Sequence, residues 1–187
     1  MGSRLPTYHW LGVPRGRRAF ARDPAAFKMG LRYKDQELGY IFFVTTSFTD
    51  HIPFGDIDGT YGALAEALLF RLNAVDMKLI SYVFMHTHLH LMLIIDGKTL
   101  AGFMRDFKKF TAQKSLAGLC GTNRIWQEGY DRQAILTPDV MVTKINYIHQ
   151  NPVRAGLAKK PEDYYWSSAA DYLGIENGPL PVYQEWA

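Results

Sequence analysis

Three histidines, His86, His88 and His90, stand at every second position in the apolar segment 82–95, YVFMHTHLHLMLII. Side chains two apart on a β-strand share a face. His88 and His90 therefore converge on one point, while Leu89 and Leu91 fill the other side. A lone histidine in an apolar strand is ordinarily a core residue with its ring nitrogens satisfied. A pair flanking one hydrophobe brings two polar rings that both need partners. Two imidazoles on one rigid strand form half of a divalent-metal site.

The other half can come from the segment near residue 150. Tyr147 and Asn151 are four apart, which puts them on one helical face. The amide oxygen of Asn151 is a hard ligand suited to Mg²⁺ or Mn²⁺, and the negative end of the helix dipole favours a cation there. A phenol, with an ordinary pKa of about 10, is a weak nucleophile until its proton is withdrawn or its target is activated. A cation held by His88, His90 and Asn151 would do the second, polarising a phosphodiester oxygen and stabilising the pentavalent transition state. The product would be a phosphotyrosine link and a free 3′-hydroxyl, a bond exchange that permits resealing. The chain has 11 tyrosines, and the plain alternative for Tyr147 is a core aromatic on an amphipathic helix. Tyr130 has no ligand-type residue at helical spacing, and Tyr164 and Tyr165 read as packing or base-stacking residues.

The elements that must position these groups follow from periodicity. GYIFFVTTSF, residues 39–48, is β-branched and aromatic and predicts a strand. A loop with His51, Pro53, Gly55 and Gly59 follows, then a helix over 61–75 with Leu64, Leu68 and Leu72 on one face. Strands over 77–85 and 88–96 are joined by a hairpin at 86–87, which puts His86 in the turn. A second amphipathic helix spans 100–119, with Phe103, Phe107 and Phe110 inward and lysines outward. A fourth strand is expected within 125–135. A third helix spans 139–150, started by Pro138 and stopped by Pro152. This order predicts an α+β, ferredoxin-like sandwich: an antiparallel sheet with helices on one face.

At 187 residues and 48% hydrophobic, the chain is expected to hold one domain over residues 39–173, between a basic arm (1–38) and a tail (174–187). The single Cys120 excludes an internal disulfide framework and a cysteine-rich zinc site. No apolar run approaches the roughly 20 residues of a membrane span, and the start has no apolar signal core. A soluble cytoplasmic protein is therefore the expectation. The net charge of +3 is mild but clustered: Arg15, Arg17, Arg18 and Arg22 in the arm, Arg105, Lys108, Lys109 and Lys114 on one predicted helix, and Lys144, Arg154, Lys159 and Lys160 later. Basic clusters beside many aromatics suit a nucleic-acid partner.

Taken together, Tyr82–Met85 with His88-Leu89-His90-Leu91, then Ile125-Trp126-Gln127, then YIHQNPVRAGL at 147–157, and the tail 163–173, DYYWSSAADYL, resemble the single-tyrosine HUH transposases. The nearest branch is the REP-associated tyrosine transposases, relatives of the insertion-sequence-200-like enzymes. His-hydrophobe-His alone is a weak pattern; joined to the Tyr-Ile-x-x-Asn-Pro-Val-x-Ala-Gly-Leu segment it is highly specific. The resemblance implies that His88, His90 and Asn151 ligate Mg²⁺ or Mn²⁺. It also implies that Tyr147 cleaves single-stranded DNA beside a hairpin through a 5′-phosphotyrosine intermediate. The tail's likeness points to a monomer, not a dimer exchanging tyrosine helices. One departure stands out: the family usually has Pro-Asn before the pair, and here it is His86-Thr87. His86 could fill the turn or serve as an auxiliary ligand or base. Arg15, Arg17, Arg18, Lys108, Lys109, Lys114 and Arg154 are the expected DNA-binding residues, with Trp126, Tyr164 and Trp166 as base-stacking candidates, although packing is the first expectation for Trp166.

Two other readings remain open on the sequence. One is a catalytically silent module of the same fold that binds single-stranded or hairpin nucleic acid. The other is a water-using hydrolase with His86, His88 and His90 as a zinc triad.

Overall fold

The computed structural model describes residues 40–175 and 178–185; the arm with Arg15, Arg17, Arg18 and Arg22 lies outside the described residues. Strand β1 (Ile41–Ser47) is followed by helix α1 (Thr60–Ala74), strands β2 (Lys78–Phe84) and β3 (His88–Ile94), and helix α2 (Gly97–Phe110). A wider helical turn (Thr111–Ser115) leads to the short α3 (Ala117–Cys120), then β4 (Asp131–Ala134) and α4 (Pro138–Arg154). The four strands form one antiparallel sheet in the order β2-β3-β1-β4. Strands β1 and β2 flank β3, and β3 and β4 flank β1, so each long connection skips one strand. This is the split β-α-β arrangement expected from the element order.

Alternation along the strands sorts the apolar side chains into two layers. Phe42, Val44, Leu89, Leu91 and Leu93 face one side, where Leu64 and Leu68 of α1 and Leu100, Phe103, Met104 and Phe107 of α2 cover them. Phe43, Ile80, Val83 and Met92 face the other, against Met141, Ile145 and Ile148 of α4. The expectation of helices on one face therefore holds for α1 and α2. Helix α4 crosses to the opposite face, because the α1/α2 side is already filled and β1, β2 and β3 carry a second apolar row that needs cover. A bulge at Ile80/Ser81, two residues opposite Met92, brings both side chains to the α4 side.

Three local expectations change. Phe110 is 42% exposed, because the inward stripe of α2 runs through Phe103 and Phe107 to buried Thr111, whose hydroxyl donates to the Phe107 carbonyl (2.8 Å) and accepts from Trp126 Nε1 (2.8 Å). The same bond, with Phe48 and Phe107 against its ring, makes Trp126 a packing residue and not a free stacking platform.

The third change concerns Pro152, which does not stop α4. Its missing N–H takes one i→i−4 bond from the helix, yet the helix runs on to Arg154. The stop is Gly156, in the left-handed region at φ 74°. Gly156 N–H donates to Val153 (3.1 Å), and Leu157 N–H donates to Pro152 (2.8 Å). This paired closure is the Schellman pattern, with Leu157 against the α4-side core. Asn-Pro-Val-Arg-Ala-Gly-Leu is thus a helix-ending signal as well as a site signal. At the other end of α4, the Thr137 hydroxyl accepts from Val140 N–H (3.3 Å), and Pro138 fills the first turn.

The segment after α4 runs back along β2. Phe84 N–H donates to the Trp166 carbonyl (2.9 Å), Tyr183 N–H donates to the Leu79 carbonyl (2.7 Å), and Leu180 is buried in the α1/α2-side core. These contacts cover an edge strand that would otherwise expose unpaired backbone. Among the described residues, no helix is long and apolar enough to cross a membrane.

Candidate active site

His88 and His90 point from β3 to the α4 side, in register with Ser47 and Thr45 of β1. Their rings are 4.7 Å apart between centroids, edge to face. Each is held through Nδ1 by a threonine hydroxyl: Thr87 on His88 at 3.0 Å and Thr45 on His90 at 2.9 Å. In the tautomer in which Nδ1–H donates to the threonine oxygen, Nε2 carries the free lone pair. Among the described residues, His90 Nε2 is buried and has no hydrogen-bond partner, so its lone pair is not spent on the fold's own hydrogen bonding.

Burial keeps both rings neutral. Desolvation, then the neighbouring His88 and Lys144, pushes His90 down to about 3. Desolvation, then the charge of His51, lowers His88. Neutral imidazole is the form that binds a metal. The His51 effect comes from the turn after β1, where Asp50 (φ 51°) and His51 (φ 53°) are both left-handed. That turn is pinned by Asp50 N–H donating to Gln127 Oε1 (3.2 Å). Nothing in the sequence marked His51 beyond its place in a loop.

Helix α4 lays Tyr147 against this pair within the same chain. The Tyr147 ring is 5.3 Å from the His90 ring and 5.9 Å from the Phe43 ring, while Phe43 stacks on His90 at 5.3 Å. Tyr147 remains 37% exposed, so a ligand from solvent can reach it. One turn on, Asn151 Nδ2 donates to the Tyr147 carbonyl (2.7 Å), which turns the amide oxygen away from that bond. Two cations flank the phenol. Lys144 Nζ lies 4.5 Å from the Phe43 ring centroid and 5.7 Å from that of Tyr147, and the Arg154 guanidinium lies 5.6 Å from Tyr147. Lys144 was read from the sequence only as part of a basic cluster; its spacing of three from Tyr147 was the available signal.

Other expected site residues lie elsewhere. His86 sits in the β2–β3 turn with Nδ1 on Asp56 Oδ1 at 2.7 Å. Its carbonyl accepts from Gly55 N–H (3.0 Å), and the approach is so close that a Cβ on Gly55 would meet His86 Cα at 2.8 Å. Among the described residues no three His, Cys, Asp or Glu side chains form a metal-holding group. The zinc triad of His86, His88 and His90 is therefore overturned: the turn hands His86 to Asp56. Lys108 donates its ammonium to the carbonyls of Gln127 (2.6 Å) and Gly129, which spends it on the loop before β4. Lys109 and Lys114 are exposed, but like Lys108 they belong to the helical segment on the sheet face opposite the histidine pair. Tyr164 donates its hydroxyl to the Phe84 carbonyl (2.8 Å), and Trp166 packs on Tyr61 and Phe84, so neither ring is free for a base.

No protein-family model matches this chain, and no curated protein is similar to it. Among solved structures, it is similar to a REP-associated tyrosine transposase bound to a REP hairpin, with 19% identity, a TM-score of 0.63, and coverage of 86% of this chain and 92% of that one. A Deinococcus radiodurans protein named as a transposase candidate matches more loosely, with 14% identity, a TM-score of 0.42, and coverage of 66% of this chain and 96% of that one. The first likeness establishes a shared fold. It falls on the family that the histidine-pair and Tyr147–Leu157 motifs resemble.

Proposed function

We propose that this chain is a metal-dependent single-strand DNA nicking and joining enzyme of the HUH transposase kind, acting at hairpin-flanked sites through a covalent 5′-phosphotyrosine on Tyr147. The observation that carries the reading is the unpartnered Nε2 of buried His90, beside the ring of Tyr147. The donor set fits a divalent cation: two neutral imidazoles oriented by threonines, and an amide oxygen on the phenol's own helix face. His88, His90 and Asn151 would hold Mg²⁺ or Mn²⁺, with the mixed nitrogen and oxygen set suiting Mn²⁺ better. When bound, such an ion supplies Lewis acidity to a phosphodiester oxygen.

The chain's own residues supply the rest. Helix α4, anchored by Ile145 and Ile148 in the core, holds the Tyr147 ring beside that of His90, which would make the attack effectively intramolecular once a strand is bound. The phenol oxygen bonds to phosphorus, the P–O3′ bond breaks, and the freed 3′-oxygen takes a proton as the phenol loses its own. Exposed Arg154 is placed to grip a neighbouring phosphate. Tyr147 meets the pair within one chain, which supports action as a monomer.

The test incubates the protein and Mn²⁺ with single-stranded oligonucleotides that carry a hairpin, drawn from the DNA flanking its own coding sequence. A covalent protein–DNA band that disappears in Tyr147→Phe is expected. Hairpin binding with no adduct in Mn²⁺ or Mg²⁺ would instead support the silent binding module, and an adduct surviving Tyr147→Phe would refute the nucleophile.

A further inference from the structure

We propose that Lys144 is a catalytic residue whose ammonium contacts a non-bridging oxygen of the phosphodiester attacked by Tyr147. The inference rests on the reading above and adds a group that the sequence motifs do not assign.

The first observation is position. Lys144 lies three residues before Tyr147 on α4, and its ammonium hangs over the Phe43 ring, which itself touches both His90 and Tyr147. The cation therefore sits in the same cluster as Tyr147 and His90, and its charge is felt at His90. The second observation is partner accounting. Lys144 is half-buried, yet it makes no ion pair or hydrogen bond to any described residue; its neighbours are the two aromatic faces. Lys108, comparably half-buried on the other side of the sheet, has two carbonyls on its ammonium. The half-buried lysine with a structural role is satisfied, and the one beside the phenol has no polar partner among the described residues.

The third argument is electrostatic. A lysine near a divalent-cation site is repelled by the ion, so the arrangement is unfavourable for binding metal alone. An anion seated between them turns that repulsion into two attractions. A phosphodiester gains negative charge on its non-bridging oxygens as the Tyr147 oxygen bonds to phosphorus and the P–O3′ bond lengthens. A fixed ammonium favours that state over the starting one. Lys144 neither gains nor loses a proton in this step; the phenol proton leaves to solvent and the 3′-oxygen takes one from solvent.

The experiment compares wild type, Lys144→Met and Lys144→Arg. Methionine keeps an apolar stem over Phe43 and removes the charge; arginine keeps the charge. Single-turnover adduct formation is followed at saturating hairpin-flanked oligonucleotide in Mn²⁺, with hairpin affinity measured separately by fluorescence anisotropy and folding by thermal melting. Loss of one such charged donor is expected to slow the saturated rate about 100-fold. Hairpin affinity should change by less than about threefold and melting should be unaltered, because one phosphate contact among several is lost. Lys144→Arg should recover a large part of the rate. A Lys144→Met rate within threefold of wild type, or a loss confined to hairpin affinity, would overturn the assignment while leaving the Tyr147 reading intact. No adduct in wild type would overturn that reading and this one with it.

Discussion

Two imidazoles on the α4 face are almost equally hidden from water, and they differ in what their Nε2 atoms meet. His149, 7% exposed, has Nε2 between the hydroxyls of Ser168 and Ser81, at 2.9 and 3.2 Å, and tucks its ring against Tyr172. His90, 4% exposed, has Nδ1 on Thr45 and nothing on Nε2. Burial pushes both down to about 3. Low basicity therefore does not separate a structural ring from a chemical one; the accounting of hydrogen bonds does. His149 joins three pieces of chain, α4, β2 and the segment after α4, through Ser81 and Ser168. His90 stops one bond short of satisfaction beside the phenol.

The comparison breaks most sharply under paired substitution. His90→Ala is expected to lower adduct formation about 1000-fold, the several kcal/mol that a ligand-held cation supplies, at a smaller folding cost than His149→Ala, because the Nε2 it removes has no partner among the described residues to lose. His149→Ala should do the reverse. It leaves a cavity and two serine hydroxyls short of a partner, at a cost of about 2–4 kcal/mol in urea denaturation, while the folded fraction still reacts. Equal effects of the two substitutions on both readouts would erase the distinction.

Acid sharpens the point more gently. Both rings have folded-state pKa values below the ordinary histidine value of about 6.5, so the unfolded chain takes up protons first as pH falls. The stability held by keeping the rings neutral is complete above about pH 6.5 and is lost progressively toward pH 3. Each ring contributes up to about 1.4 kcal/mol per pH unit in that window. Urea midpoints in EDTA should therefore fall between pH 7.5 and 5, and His149→Gln should flatten part of that fall while the contributions of His88 and His90 remain. A midpoint independent of pH over this range would contradict the burial argument for both rings.

Much of this frame was legible in the sequence. The β-branched run 39–48 contains β1, the alternation across 77–85 and 88–96 became a hairpin with His88 and His90 on one face, and the 147/151 spacing placed Tyr147 and Asn151 on one helix. What escaped was what periodicity does not encode. A helical stripe shows which side of α4 is buried but not which face of the sheet receives it, so the move of α4 to the histidine side came only with packing. Charge alone could not separate Lys108, drawn in by two carbonyls, from Lys144, left over Phe43. Asp56 and His86 are far apart in sequence and meet because Gly55 permits the loop to approach the turn.

The sequence points to Pro152 as a stop because the residue before proline avoids the helical region, a rule that yields to a better terminator four residues later. The smallest expected effects test that correction. Gly156→Ala should cost about 1 kcal/mol, the penalty for a Cβ in the left-handed region. Pro152→Ala should alter stability by less than about 1 kcal/mol, with the lost rigidity of the unfolded chain offsetting the restored bond. Thermal melting of the two variants checks the order, and a larger loss from Pro152→Ala would restore proline as the terminator.

The central claim, that Tyr147 attacks beside a cation held by His88, His90 and Asn151, is tested most directly by locating the DNA on the protein. The adduct formed in Mn²⁺ is digested with trypsin and nuclease, and the nucleotide-bearing peptide is identified by mass spectrometry. The account predicts the nucleotide on Tyr147 within the peptide 145–154, and none when EDTA replaces the metal. A nucleotide on Tyr130 or Tyr164, or strand cleavage with no protein-bound nucleotide, would contradict it.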